Sequence, residues 1–186
     1  MVQWQKYSYY EVFGKRFSAP ECDQIIELHT KSSQDLSRLY DFEGNKLRDS
    51  HVTWIRRTEG TAWIFERIES AVREYNNTYN FEIGYELNTA QLTRYGESQQ
   101  YGWHVDLGAK RASLRKISAV VALTPAASSV GGGLEIFYGD ALNNKVALDA
   151  GDIVVFPSFV MHRASKVESG IRWSLVVWFE GAAPFR

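Results

Sequence analysis

Gly151-Asp152-Ile153-Val154-Val155-Phe156-Pro157-Ser158-Phe159-Val160-Met161-His162 reads as a tight turn, a short buried strand, a bend at Pro157-Ser158 and the start of another strand. The same texture extends over the chain from Ile83 onward. Strand-like runs fall at Glu86–Tyr95, Tyr101–Val105, Ile117–Leu123, Leu134–Tyr138, Val146–Leu148, Ile153–Phe156, Val160–Lys166 and Arg172–Phe179. Gly96, Gly108, the Gly131-Gly132-Gly133 run, Gly139-Asp140, Gly151-Asp152 and Gly170 punctuate them. Seven or eight short strands with such turns predict a double-sheet jelly roll, cupin-like in outline.

The first half carries helical signals instead. Ser18 can cap a helix whose early turn holds Pro20 and Glu21, with Ile25, Ile26 and Leu28 at helical spacing. A second helix is predicted from about Thr61 to Asn76, where Trp63, Ile64, Ile68, Ala71, Val72 and Tyr75 form an apolar stripe. Leu36 to Asn45 is polar and Gly-punctuated, and Leu47–Arg57 reads as a strand. The expected architecture is α+β: a helical buttress over about 1–80 against a jelly-roll core over about 83–180, in one domain spanning 1–186.

Bulk composition narrows the class. A 45% hydrophobic fraction with 23% charge suits a globular chain with a real core. A net charge of −1 leaves no electrostatic footprint for nucleic acid or a membrane surface, so neither is expected as a partner. The local basic run Lys110, Arg111, Arg115 and Lys116 reads as a solvated loop edge. One cysteine, Cys22, excludes an internal disulfide framework and suits a reducing compartment. The N-terminus lacks a signal-peptide pattern, and no apolar run approaches the roughly 20 residues of a membrane span. A cytoplasmic location is expected. Oligomeric state is not legible.

Chemistry concentrates in the strand-rich half. In Tyr101-Gly102-Trp103-His104-Val105-Asp106, His104 and Asp106 are two apart, so a strand projects both to one face. Alone, that pair is a weak signal. His162, on another strand, completes two imidazoles and one carboxylate, the set that fills one face of an octahedral ion and leaves three positions open. A 2-oxo acid can take two of these and O₂ the third. The far carboxylate of such an acid needs a buried cation. Arg172 can meet it with a two-pronged pair, Ser174 points to the same face, and Trp178 can wall the cavity.

Gln91-Leu92-Thr93-Arg94-Tyr95-Gly96, Tyr101 to Asp106, Gly131-Gly132-Gly133-Leu134-Glu135 and Gly151 to Pro157 stand in a characteristic order, extended by His162, Arg172, Ser174 and Trp178. In these the chain resembles the iron/2-oxoglutarate dioxygenase superfamily, in its prolyl-hydroxylase-like branch, over about Asn88 to Glu180. The resemblance implies a double-stranded β-helix with Fe(II) near one open end, held by His104, Asp106 and His162. It implies 2-oxoglutarate and O₂ as co-substrates, with Tyr95 hydrogen-bonded to 2-oxoglutarate and Arg172 and Ser174 on its distal carboxylate. It implies hydroxylation of an unactivated C–H bond with release of succinate and CO₂. Peptidyl proline is the leading substrate; a free amino acid, another small molecule, or a non-catalytic sensor of metal and 2-oxoglutarate are the alternatives. A cupin-type isomerase would have no need of Arg172-x-Ser174.

Two departures limit the transfer. Ala122 stands where the animal oxygen-sensing relatives place a 2-oxoglutarate tyrosine. Val177 and Trp178 are apolar where nucleic-acid demethylases carry a second arginine. His29 and His51 lie off ligand spacing and read as structural or surface residues. Gly131 to Gly133 is either a close approach to substrate or an ordinary turn. Loops around Glu97–Gln100, Leu107–Leu114 and Ala126–Gly132 are expected at the cavity mouth, with Leu36–Arg48 as a lid.

Overall fold

The computed structural model describes residues 9–30, 35–40, 44, 46–137 and 145–185. In chain order its elements are β1 (Glu11–Phe13), α1 (Ala19–Glu27), β2 (Asp35–Tyr40), β3 (Lys46–Arg56), α2 (Ala62–Tyr79), β4 (Thr89–Tyr95), β5 (Gln100–His104), β6 (Arg115–Ala122), β7 (Ser129–Gly131), β8 (Leu134–Ile136), β9 (Ile153–Pro157), β10 (His162–Ala164), β11 (Val167–Gly170) and β12 (Arg172–Glu180).

Ten strands form one antiparallel sheet in the order β1-β9-β6-β12-β4-β3-β5-β10-β8, with β2 on the other side of β3. β7 and β11 make a separate two-stranded ladder. The long β3 is shared. Its C-terminal half pairs with β4, from His51 to Arg56, while Arg48 and Asp49 pair with β5. One strand thus carries the sheet from a broad wall to a narrow one, and the sheet curls until residues of β12 and β4 face residues of β5, β8 and β10 across one cavity. This is the double-stranded β-helix expected from the sequence.

Period-two alternation explains how the broad wall sits. On β12, Leu175, Val177 and Phe179 join the core that also holds Ile64, Phe65, Ile68, Val72 and Tyr75 of α2, whereas Arg172, Ser174, Val176 and Trp178 line the cavity. β9 is buried at every position because both its faces are covered. Ile153 and Val155 face the helices, and Val154 and Phe156 join a second cluster around Val120 and Ile136.

The helices begin and end on local chemistry. The Ser18 backbone N–H and hydroxyl each donate to the Glu21 carboxylate at 2.8 Å. The Arg67 guanidinium on Glu21 and the two Ser18 bonds hold its carboxyl down to about 2. α2 continues three residues past the expected Asn76. Asn76 turns its amide onto the Phe81 carbonyl (2.9 Å), and Asn80 adopts left-handed backbone at φ 55° to end the helix. At Gly151, φ is +90° and a Cβ would collide with the Phe17 carbonyl oxygen, so glycine lets the approach to α1 dock on the turn before β9.

Several expectations need correction. Residues 36–40 of the polar Leu36–Asn45 stretch lie in β2, since a backbone ladder on β3 needs no apolar alternation. Val146–Leu148 forms no strand; among the described residues the pairing there is one bridge from Lys145 to Glu135, with the Val146 N–H donating to the Leu134 carbonyl. Val160–Lys166 pairs only over β10, because Val160 closes the bend through its N–H to the Pro157 carbonyl. Leu134–Tyr138 pairs over β8 alone, and Tyr138, like Gly139-Asp140, lies outside the described residues. β1, β7 and β11, at three or four residues, are too short for a pattern to announce them. Among the described residues no helix is long and apolar enough to cross a membrane.

Candidate active site

His104 ends β5 and His162 opens β10, and the two are direct cross-strand partners. Asp106 follows β5 by two residues, its N–H donating to the Ser158 carbonyl at 2.9 Å. Register and one backbone bond therefore bring the three together. A ligand atom from each lies within 4.8 Å of the others, the one such group of three among the described residues.

The imidazoles are aimed by their own backbones. Nδ1 of His104 lies 2.8 Å from the Gly102 carbonyl, and Nδ1 of His162 lies 2.9 Å from the Val160 carbonyl. A carbonyl only accepts, so each Nδ1 carries a proton, and Nε2 is the ring atom that each imidazole turns toward Asp106. Those Nε2 atoms stand 3.8 Å and 3.6 Å from the Asp106 oxygens. Burial, and then the adjacent His162, push His104 down to about 4, so its imidazole is neutral at ordinary pH. On the far side, Ser118 Oγ donates to Asp106 Oδ2 at 2.6 Å and lies 2.9 Å from Ser158 Oγ. Ser118 and Ser158 are fully buried.

A cavity of ≈ 190 Å³ opens beside this group. Every residue singled out in the sequence lines it: His104, Asp106, His162, Tyr95, Arg172, Ser174 and Trp178. Tyr95 and Arg172 are cross-strand partners, and the Arg172 guanidinium lies 5.4 Å from the Tyr95 ring centre. Arg172 Nη1 is 3.4 Å from Ser174 Oγ. Burial lowers the pKa of Arg172 and raises that of Tyr95. Ala122 lies directly across from Ser174 and adds no hydroxyl there.

The lining residues to which the sequence reading gave no site role include Arg48, Gln91, Tyr101 and Arg115. The Tyr101 ring lies flat on His104, centroids 3.5 Å apart and planes 11° from parallel. Arg115 is not the solvated loop edge expected of its basic run. Its guanidinium packs 3.9 Å from the Trp178 ring centre, and Nη1 donates to the Asp106 carbonyl at 3.1 Å. Lys116 is also buried, against Phe185, while Arg111 pairs at the surface with Glu180. Of the segments expected at the mouth, among the described residues only Leu36–Arg48 reaches the cavity wall, through Arg48. Residues 41–43 and 45 of that segment lie outside the described residues.

The glycine run serves packing. A Cβ on Gly131 would strike the Lys166 carbonyl oxygen, and one on Gly132 would meet Val167 at 2.7 Å and the Arg172 stem at 3.4 Å. His29 is structural, its Nδ1 2.6 Å from Thr53 Oγ1 and its ring against Trp173. His51 does not reach the cavity. Two buried donors in the cavity wall, Arg48 Nη2 and Trp178 Nε1, have no partner among the described residues. Such orphans each cost about 1–3 kcal/mol, which a ligand with matching acceptors returns.

A curled antiparallel sheet that gathers two imidazoles and a carboxylate at one end of its cavity has the arrangement of the mononuclear non-haem iron proteins. Comparison with known proteins agrees. Residues 90–180 match the 2OG-Fe(II) oxygenase superfamily. A PKHD-type hydroxylase of Synechococcus sp. (strain CC9605) is 31% identical over 101 residues, 54% of this chain and 46% of that protein. The PKHD-type hydroxylase YbiX of Escherichia coli O157:H7 is 30% identical over 145 residues, 74% of this chain and 62% of that protein. The chain spans about half the length of the curated relatives it matches. Among solved structures, a Pseudomonas putida prolyl-4-hydroxylase superposes with a TM-score of 0.70 at 19% identity, covering 94% of this chain and 93% of that one. The viral collagen prolyl hydroxylase of Paramecium Bursaria Chlorella virus-1 gives 0.67 at 21% identity, covering 94% and 97%. At such identities these structures speak for the fold. The chain belongs to the 2OG-Fe(II) oxygenase superfamily.

Proposed function

We propose that the protein is an Fe(II)- and 2-oxoglutarate-dependent hydroxylase, with His104, Asp106 and His162 as metal ligands and Arg172, Ser174 and Tyr95 as the co-substrate anchor. The observation that carries the reading is the convergence of two imidazoles and one carboxylate on a single point, with each Nδ1 turned away onto a backbone carbonyl. The donor set suits Fe(II). It holds nitrogen and oxygen only, it includes no thiolate, and its facial arrangement leaves positions open.

When bound, iron with 2-oxoglutarate and O₂ supplies the oxidant for an unactivated C–H bond, with release of succinate and CO₂. The chain's own work is positioning and shielding. Arg172 would hold the distal carboxylate by a charged pair, Ser174 and Tyr95 would add hydroxyls, and Trp178 would wall the site against water. Ser118 holds the Asp106 carboxylate in one orientation, and Tyr101 holds the His104 ring by stacking.

The substrate class follows the PKHD-type relatives and the prolyl hydroxylases of like fold, which make a prolyl residue of a peptide or protein the first to try. A free amino acid is the second reading, and it is favoured by a buried arginine in the cavity wall. A net charge of −1 argues against nucleic acid. The setting is cytoplasmic in this reading, which the buried free thiol of Cys22 suits.

The test is succinate release by anaerobically purified protein given Fe(II), 2-oxoglutarate and then O₂. Slow succinate formation without added substrate, lost in Arg172→Ala, is the expected result. A protein that binds neither metal nor 2-oxoglutarate overturns the assignment.

A further inference from the structure

Arg48 is 7% exposed and lines the cavity from the N-terminal half of β3. Its Nε donates to Ser50 Oγ at 2.9 Å, and its guanidinium stands 4.7 Å from the Tyr101 ring centre. Its Nη2 has no hydrogen-bond partner among the described residues. An arginine stays charged in a protein, so this is a buried cation with an unpaired donor.

Charge across the cavity shows what is missing. The lining residues include three guanidinium groups, Arg48, Arg115 and Arg172, against one carboxylate, Asp106. A divalent metal and a 2-oxoglutarate dianion cancel each other, so filling the site as proposed leaves that excess in place. The dianion's two carboxylates are also already engaged, one at the metal and one at Arg172. Arg115 is occupied with the Asp106 carbonyl and the Trp178 face. Arg48 is the cation left over.

Its position limits what the missing anion belongs to. Tyr101, which Arg48 covers, is itself stacked on the metal-ligand candidate His104. The Arg48 guanidinium therefore lies two ring contacts from the reacting centre. The cavity, at ≈ 190 Å³, is below the roughly 300–1,000 Å³ of sites that enclose drug-sized ligands.

We propose that Arg48 binds the carboxylate of the substrate to be oxidised, and that this substrate is a small free carboxylic acid of the amino-acid class. An internal peptide residue has spent its carboxylate on an amide, which cannot neutralise Arg48 or form a charged pair with it. The proposal rests on the oxygenase reading above, because it assigns 2-oxoglutarate to Arg172.

The experiment uses the full chain loaded with Mn(II), which occupies such a site without turnover, and saturated with 2-oxoglutarate. It is titrated calorimetrically with each of the twenty free amino acids, with the corresponding amides, and with the blocked tripeptide N-acetyl-Gly-Pro-Gly-amide, which has no free carboxylate. At least one free acid should bind ten-fold or more tighter than its amide and than the tripeptide. Arg48→Met should erase that preference while 2-oxoglutarate affinity stays within two-fold, which also reports an intact fold. Arg48→Lys keeps the charge and should retain part of the preference, whereas a merely structural role predicts no such rescue. The proposal is overturned if no acid outbinds its amide or if the preference survives Arg48→Met. It is also overturned if Arg48→Met weakens 2-oxoglutarate as much as Arg172→Ala does, since Arg48 then belongs to the co-substrate. Failure of the wild type to take up Mn(II) and 2-oxoglutarate shows earlier in the same titration, and is the failure of the oxygenase reading instead.

Discussion

The two faces of the broad wall of the sheet are built to opposite rules. Toward α2, β12 and β6 present Leu175, Val177, Phe179, Ile117, Ala119 and Val121, all fully buried and all apolar. Toward the cavity the same strands present Arg172, Ser174, Trp178 and Ser118. The first face is complete in itself, and its side chains need nothing but each other. The second is incomplete. It holds the orphaned Trp178 Nε1, it faces Arg48 and its unpaired donor, and among the described residues its Arg172 has a long 3.4 Å hydrogen bond to Ser174 and the Tyr95 ring beside it. Because successive residues of a strand alternate between faces, stability and binding can change independently at neighbouring positions. That is a claim mutations can break.

The largest effect is expected on the cavity side. Asp106→Ala should abolish substrate-coupled turnover, by more than about a thousand-fold, since loss of an outer-shell partner alone costs roughly 10–100-fold. Thermal stability of the metal-free protein should move little in the same variant. A large fall in melting temperature would mean that the cavity face also holds the fold together. Next is Leu175→Ala, one residue from Ser174 and on the opposite face. It should cost about 3 kcal/mol of unfolding free energy in urea, with 2-oxoglutarate affinity within two-fold of the wild type. Equal losses in stability and affinity would show that the faces are coupled through the strand, and would end the comparison.

The sequence was most legible where the relation between residues runs along one strand. His104 with Asp106 and Arg172 with Ser174 are both two apart, and the period-two rule alone puts each pair on one side. The helical stripe of Ile64, Ile68, Ala71, Val72 and Tyr75 was equally local. Relations that depend on which strands become neighbours left no such trace. Arg48 enters the site because β3 lends its first half to β5, placing Arg48 opposite Tyr101. The one local hint was that Arg48, Ser50 and Val52 alternate as buried positions at the start of a strand, with a charge where an apolar residue is usual. β2 was missed for the converse reason: an edge strand pairs through its backbone and needs no apolar face. Val146–Leu148 was over-read because two apolar residues in alternation imply no partner strand.

The finest test of the comparison is Ser118, which lies between Ile117 and Ala119 of the helix-facing core yet turns its hydroxyl to Asp106 at 2.6 Å. A hydrogen bond to a carboxylate is worth about 1.5–3 kcal/mol when both groups are buried. Here it also fixes which way Asp106 faces the two imidazoles. Ser118→Ala removes one oxygen and leaves the strand's apolar side untouched. Metal affinity should weaken about ten-fold, read by competition with a chelator. Unfolding free energy should change by less than in Leu175→Ala, because no cavity opens in the helix-facing core. The reverse ranking would assign the Ser118, Ser158 and Asp106 chain to holding β6 and the bend after β9 together, and would move the boundary between the two faces one layer deeper into the sheet.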